Sequence, residues 1–210
     1  MNFRNKYIAV SGNMGAGKSS LVEFLTRQYN IIPFFEPHLK NPYLKDFYQD
    51  MNRWAFHSQL FFLKEKYKLH LQMESVNGIV VMDRTIYEDA EIFARNLYAM
   101  GYMDKRDFEV YWDLYQTLIS TLRPPDLLIQ LKCPLSTIVK RIKIRGRPEE
   151  QKIDRAYLRR LQRLYQGWFR RYDLSPVLVI DTSKIDFVRD LVGRLDTMKL
   201  LDAYFKGWGI

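Results

Sequence analysis

A chain of 210 residues, 47% hydrophobic and 15% aromatic, is long and apolar enough for one sizeable core, which excludes a disordered protein. Its one cysteine, Cys133, excludes an intrachain disulfide, and no apolar run approaches the roughly 20 residues that span a bilayer. A net charge of +9 admits nucleic acid, an anionic surface or small polyphosphates as partners and does not choose among them.

In chain order, the first apolar run is YIAVSG, residues 7–12, a strand pattern. The amino-terminal MNFRNKYIAVSG has too short an apolar stretch for a secretory signal, so a cytoplasmic protein without membrane contact is expected. Four more short apolar runs follow: IIPFFE (31–36), GIVVMD (78–83), DLLIQLK (126–132) and VLVID (177–181). Between them, helical spacing predicts helices over 17–29, 53–76, 87–100 and 105–122, then in PLSTIVKRIKIR and DRAYLRRLQRLYQGWFRRY, with a last one from near Ile185. Strands that alternate with helices predict an α/β fold, a five-stranded parallel sheet with helices on both faces. No repeat or linker divides the chain, so residues 1–210 are expected to form a single domain.

The segment after the first strand is GNMGAGKSS: Gly12, Asn13, Met14, Gly15, Ala16, Gly17, Lys18, Ser19 and Ser20. Gly12-x-x-x-x-Gly17-Lys18-Ser19 is the full P-loop pattern, placed between a strand and a helix as the motif requires. Its backbone amides and the helix amino terminus suit phosphate, Lys18 would reach the β- and γ-phosphates, and the Ser19 hydroxyl would ligate Mg²⁺. A plain glycine turn is the alternative. The absence of an N-K-x-D signal argues against a GTPase.

The acceptor side of the chemistry lies further along. Glu36 ends the second strand, where open parallel sheets place ligands, and a carboxylate there can take the proton of an attacking hydroxyl; a surface Glu before Pro37 is the plainer alternative. Asp83 ends the third strand in the manner of a Walker B acid and is expected to hold Mg²⁺ partly through water, with Arg84 beside it to stabilise charge on the transferred group. Arg141, Arg145 and Arg147 surround the hinge Gly146, and the span 141–150 suits a lid that closes on phosphates; a solvated basic helix end is the alternative. His38, His57 and His70 have no ligand-like spacing, so no transition-metal site is assigned. The basic RAYLRRLQRLYQGWFRRY could read as RNA-binding; its stripe of Tyr157, Leu161, Leu164 and Trp168 predicts instead a helix packed inward with a solvated basic face.

Taken together, GNMGAGKSS, FFEP, RWAFHSQ, DRTIYEDAEIFARNLY and RIKIRGRPEE resemble the deoxyribonucleoside kinases over roughly residues 6–187. The group contains deoxycytidine, deoxyguanosine and bacterial deoxyadenosine kinases. The resemblance implies a P-loop kinase fold and ATP- and Mg²⁺-dependent transfer of a phosphoryl group to the 5′-hydroxyl of a deoxynucleoside, in nucleotide salvage, by a homodimer. It implies Glu36 as general base, Arg84 near the 5′-oxygen, and Arg141, Arg145 and Arg147 as lid arginines. In the nucleoside pocket it implies Gln59 and Asp89 reading the base, Tyr48 and Glu150 at the sugar 3′-hydroxyl, and Trp54 and Phe93 walling the base. Asp89, Phe93 and Asn96 would share one helix face.

The chain has Asp83 and Thr85 where many animal relatives have Glu and Ser. It has Lys66 where relatives place an arginine seven residues after the glutamine; Lys66 is expected either to pair with Asp89 or to face solvent. A purine deoxynucleoside is favoured. The alternatives are a thymidylate-like monophosphate kinase, against which Phe35 stands where that family has an arginine, and a non-catalytic nucleotide- or nucleic-acid-binding protein.

Overall fold

The computed structural model describes residues 5–35, 40–150, 153–185, 187 and 190–208. Five parallel strands form one sheet in the order β2-β3-β1-β4-β5, with β1 Asn5–Ser11, β2 Ile32–Phe34, β3 Gly78–Asp83, β4 Leu127–Lys132 and β5 Val177–Asp181. The helices are α1 (Lys18–Tyr29), α2 (Leu44–Gln49), α3 (Met51–Glu74), α4 (Ile86–Glu88), α5 (Arg95–Ala99), α6 (Lys105–Ile119), α7 (Leu135–Arg145), α8 (Arg155–Phe169) and α9 (Leu191–Phe205).

The central strand explains the two-sided core. Successive side chains of a strand point to opposite faces, and on β1 Ile8 and Val10 enter one apolar cluster while Tyr7 and Ala9 enter another. The first cluster takes Leu21 and Leu25 of α1, Ile138 and Ile142 of α7, and Leu201 and Phe205 of α9. The second takes Leu63 and Met73 of α3, Tyr111 and Tyr115 of α6, and Leu161 and Trp168 of α8. Each such side chain, fully buried, contributes about 1.5–3 kcal/mol. The α8 stripe packs as its spacing predicts, with Tyr157, Leu161 and Trp168 buried.

Several expectations are corrected. The second strand is only Ile32–Phe34, a short edge strand, where Pro33 is tolerated inside the ladder opposite Val81. The last helix begins at Leu191, capped by the Asp190 carboxylate accepting from Gly193 N at 3.0 Å. Its end packs on the body: Phe205 is buried edge-on against Tyr29, with ring centroids 4.9 Å apart, and the Tyr29 hydroxyl donates to Asp202 at 2.8 Å. The helix predicted over 87–100 is broken by a π-helical turn at Asp89–Ala94. The short α2 has no counterpart in the sequence reading.

One buried group makes stability pH-dependent. His70 of α3 lies edge-on to Tyr7 with ring centroids 5.3 Å apart, and burial pulls its pKa from 6.5 to about 4. The folded protein therefore holds His70 neutral, and its 3.5 Å contact with Glu74 is not an ion pair at pH 7. The unfolded chain binds the extra proton between pH 6.5 and 4, so stability is full above pH 6.5 and falls as pH drops through that window, by up to about 3 kcal/mol. Urea denaturation at pH 7.5 and pH 4.5 should show this loss in the native protein and a markedly smaller one in His70→Gln; equal losses would exclude His70 as the cause.

Candidate active site

The P-loop connects β1 to α1 at the carboxyl end of the sheet. Gly12 admits no side chain, since a Cβ there would meet the Leu131 carbonyl oxygen at 2.9 Å. Gly17 caps α1 at φ +102°, a backbone that only glycine takes without strain. Asn13 ties the loop to α8 by donating to the Leu158 carbonyl at 3.1 Å and to Gln162 at 3.3 Å, while its side-chain oxygen accepts from Met14 N at 2.8 Å. Lys18 is buried, and its ammonium donates to the carbonyls of Gly12 and Asn13 at 2.9 and 3.0 Å.

A cavity of about 290 Å³ opens beside this loop, lined by Met14, Gly15, Lys18, Ser19, Tyr48, Gln59, Asp83, Arg84, Asp89, Phe93, Arg145, Arg147 and Glu150. Side chains from the P-loop, α2, α3, the end of β3, the π turn and the lid thus meet in one cleft. A larger cavity of about 800 Å³ between α2 and α8 shares Leu44, Tyr48 and Tyr157 with it but contains no P-loop residue and neither Asp83 nor Arg84. Size alone does not mark the chemistry.

Within the cleft the Ser19 hydroxyl donates to Asp83 Oδ2 at 2.6 Å. The other Asp83 oxygen, Oδ1, is buried with no hydrogen-bond partner among the described residues. A hydroxyl beside a carboxylate with a spare oxygen is a donor set that fits Mg²⁺, which takes oxygen ligands and keeps several waters. Arg84 is buried, with its guanidinium 4.4 Å over the Phe93 ring. Gln59 is 5% exposed, and its Oε1 has no hydrogen-bond partner among the described residues. Unsatisfied buried acceptors are costly, and a base edge would satisfy this one.

Asp89 is buried on the same wall. The wider π turn, a feature common at functional sites, sets its register with Phe93. Asn96 departs from the expected shared face and instead accepts from Arg160 Nε at 2.5 Å.

The lid arginines divide. Arg145 and Arg147 line the cleft, and both bond the buried Glu150, Arg147 at 3.3 Å. Arg141 is bound elsewhere: its guanidinium donates to the carbonyls of Ala16 at 3.1 Å, Thr182 at 2.8 Å and Ile185 at 2.7 Å. It ties the P-loop to the segment after β5. Cys133, at 3.5 Å from the same guanidinium, is buried, and burial raises its pKa, which disfavours the nucleophilic thiolate.

Three further residues sit apart from the cleft or outside the description. Ser20 lies in the first turn of α1 and does not line the cleft. Trp54 stacks on Tyr43, with centroids 5.5 Å apart, and is not among the lining residues. Glu36 lies outside the described residues, directly after Phe35, which is part of the lining.

Lys66 corrects both expectations: it is fully buried and bonds the carbonyls of Asp83 and Arg84. Sequence reasoning also missed Glu23, Leu44, Phe47, Phe62 and Tyr157 as cleft residues. Tyr157 carried no separate signal, because it occupies the first position of the α8 core stripe.

Comparison with known proteins agrees with this geometry. The family model described as deoxynucleoside kinase matches residues 8–203. A deoxyadenosine/deoxycytidine kinase of Bacillus subtilis is 35% identical over 189 residues, 89% of this chain and 87% of the relative. A deoxyguanosine kinase of Lactobacillus acidophilus is 37% identical over 196 residues, 89% of this chain and 85% of the relative. The solved structure of deoxyadenosine kinase from M. mycoides, with products dCMP and a flexible dCDP bound, superposes with a TM-score of 0.83 at 30% identity, covering 94% of this chain and 99% of that one. With nearly the whole chain matched and the P-loop, Asp83 and Arg84 gathered in one cleft, this protein belongs to the deoxynucleoside kinase family.

Proposed function

We propose that this kinase transfers the γ-phosphoryl group of ATP to the 5′-hydroxyl of a purine deoxynucleoside, deoxyadenosine or deoxyguanosine, as a salvage enzyme. Deoxynucleoside phosphorylation is the activity of the family; the base, the metal and the residue roles are what we add. The observation that carries the reading is the single cleft in which Lys18, Ser19, Asp83 and Arg84 face Gln59, Asp89 and Phe93. One half suits a triphosphate and the other a planar heterocycle.

Lys18, with the amides of the P-loop, holds the phosphates in line with the acceptor. Ser19 and Asp83 would hold Mg²⁺, which when bound neutralises charge on the β- and γ-phosphates. Arg84 supports the charge that develops on the transferred group, and Arg145 and Arg147 close over it. The described geometry gives no such part to Arg141, whose donors serve backbone carbonyls. Glu36 takes the 5′-hydroxyl proton. Tyr48 and Glu150 receive the sugar 3′-hydroxyl, and Glu150 meanwhile keeps the lid arginines in place.

Gln59 offers a donor and an acceptor to the base edge, and Asp89 adds an acceptor. That combination suits bases with an exocyclic amine and disfavours thymine. Relatives named deoxyguanosine and deoxyadenosine kinase support a purine.

A homodimer would cover Val110 and Leu114, which are 61% and 37% exposed on α6, while Tyr111 and Tyr115 face the core. Among the described residues no helix is long and apolar enough to cross a membrane.

ADP release with ATP and Mg²⁺ tests the reading against four deoxynucleosides and thymidine monophosphate. Turnover is expected with deoxyadenosine or deoxyguanosine, at least tenfold above thymidine in kcat/KM. Turnover confined to deoxycytidine or thymidine would overturn the base assignment alone. Turnover confined to the monophosphate would overturn the acceptor.

A further inference from the structure

Arg84 has a left-handed backbone, φ +64°; outside glycine, among the described residues, only Asn30 at the carboxyl cap of α1 shares that region. A long side chain there is costly and persists only where the surroundings over-determine it. The surroundings are specific. The Arg84 amide donates to the Val10 carbonyl at 3.0 Å, so sheet bonding runs up to the turn. The carbonyls of Asp83 and Arg84 then both accept from Lys66 Nζ, at 2.7 and 2.8 Å. The next amide, Thr85 N, donates to the fully buried Glu88 at 2.9 Å.

Lys66 itself is fully buried on α3, between positions where the same helix buries Leu63 and Met73. An ammonium placed there is expensive unless its donors are used. Two successive carbonyls that converge on one nitrogen use two of its three, and rotatable donors on a compact charge suit that task better than a planar guanidinium.

We propose that Lys66 is a positioning residue: its ammonium holds the Asp83 and Arg84 carbonyls together, fixing the left-handed turn that aims both side chains into the cleft. The inference rests on the role given to Arg84 above. The distances place Lys66 on the turn, whereas a base-reading lysine would have to serve the nucleoside.

The two roles separate in kinetics. With the turn unfixed, misplacement of Arg84 by about an ångström lowers kcat by roughly 10- to 100-fold. Lys66→Met should show that loss by the same factor with every accepted deoxynucleoside, with KM for ATP and nucleoside within about threefold of the native values. Lys66→Arg, which keeps the charge, should recover part of it. Thermal denaturation checks that the variants fold, and if Lys66→Met does not, Lys66→Gln gives the same comparison of kcat with KM.

Native kcat in a folded neutral variant would overturn the proposal. So would a raised nucleoside KM that differs from base to base, which assigns Lys66 to the base. Arg84→Lys serves as control. If it retains native kcat, the role of Arg84 falls; if it is impaired while Lys66→Met is not, only the Lys66 inference falls.

Discussion

Lys18→Met should yield a folded protein whose kcat is lower by about 10³-fold, with deoxynucleoside affinity unchanged. Removing one preorganised charge from a transferring group typically costs 10²- to 10³-fold, and the P-loop lysine serves both phosphates that change charge. Methionine nearly matches the buried stem of Lys18, so the α1 packing around Leu21 and Leu25 is preserved. The ammonium also bridges the Gly12 and Asn13 carbonyls at 2.9 and 3.0 Å, so the loop loses an internal tie as well. Asn13 still anchors the loop to α8 through Leu158 and Gln162, which limits that second effect. Turnover is read as ADP release and affinity by equilibrium binding of the deoxynucleoside without ATP. Turnover within tenfold of native would remove Lys18 from phosphate activation. A weakened deoxynucleoside affinity of the same size would mean that the loop, not the charge, had been lost.

The sheet was legible because its strands are buried on both faces, and such strands read as unbroken apolar runs: GIVVMD and DLLIQLK match the observed β3 and β4 to within one residue. The P-loop was legible because its chemistry is local, nine consecutive residues between a strand and a helix. The cleft residues were reached through resemblance, since Gln59, Asp89 and Glu150 meet only after the chain folds. Features set by distant partners escaped. Lys66 sits among LKEKYK and reads as a partner of Asp89 or as solvent-facing; its burial depends on two carbonyls 17 and 18 residues further along. Arg141 reads as a phosphate arginine from its i, i+4 pairing with Arg145. Its side chain turns instead to the Thr182 and Ile185 carbonyls, about 40 residues away in sequence. The π turn escaped for another reason: DAEIFA has good helical residues, and one wider turn leaves no mark in composition.

Glu36→Gln is the test of the acceptor chemistry. The variant should bind ATP and deoxynucleoside with native affinity and turn over about 10³-fold more slowly, within the range by which a general base contributes. Glutamine has the shape of glutamate and can still hydrogen-bond the 5′-hydroxyl, but it cannot carry the proton away. The sequence sets the position: Glu36 follows Phe35, a cleft residue just beyond β2, where ligands gather in an open parallel sheet. Two controls separate proton transfer from binding. In the native enzyme kcat should fall at acid pH as one carboxylate titrates, and the Glu36→Gln profile should lose that limb. Glu36→Asp, with the same charge and shorter reach, should keep the limb with a reduced plateau. Near-native kcat in Glu36→Gln would instead leave the 5′-hydroxyl proton to the departing phosphoryl oxygens. Catalysis would then rest on positioning and charge alone, a route open to phosphoryl transfer because its loose transition state needs little help from a base.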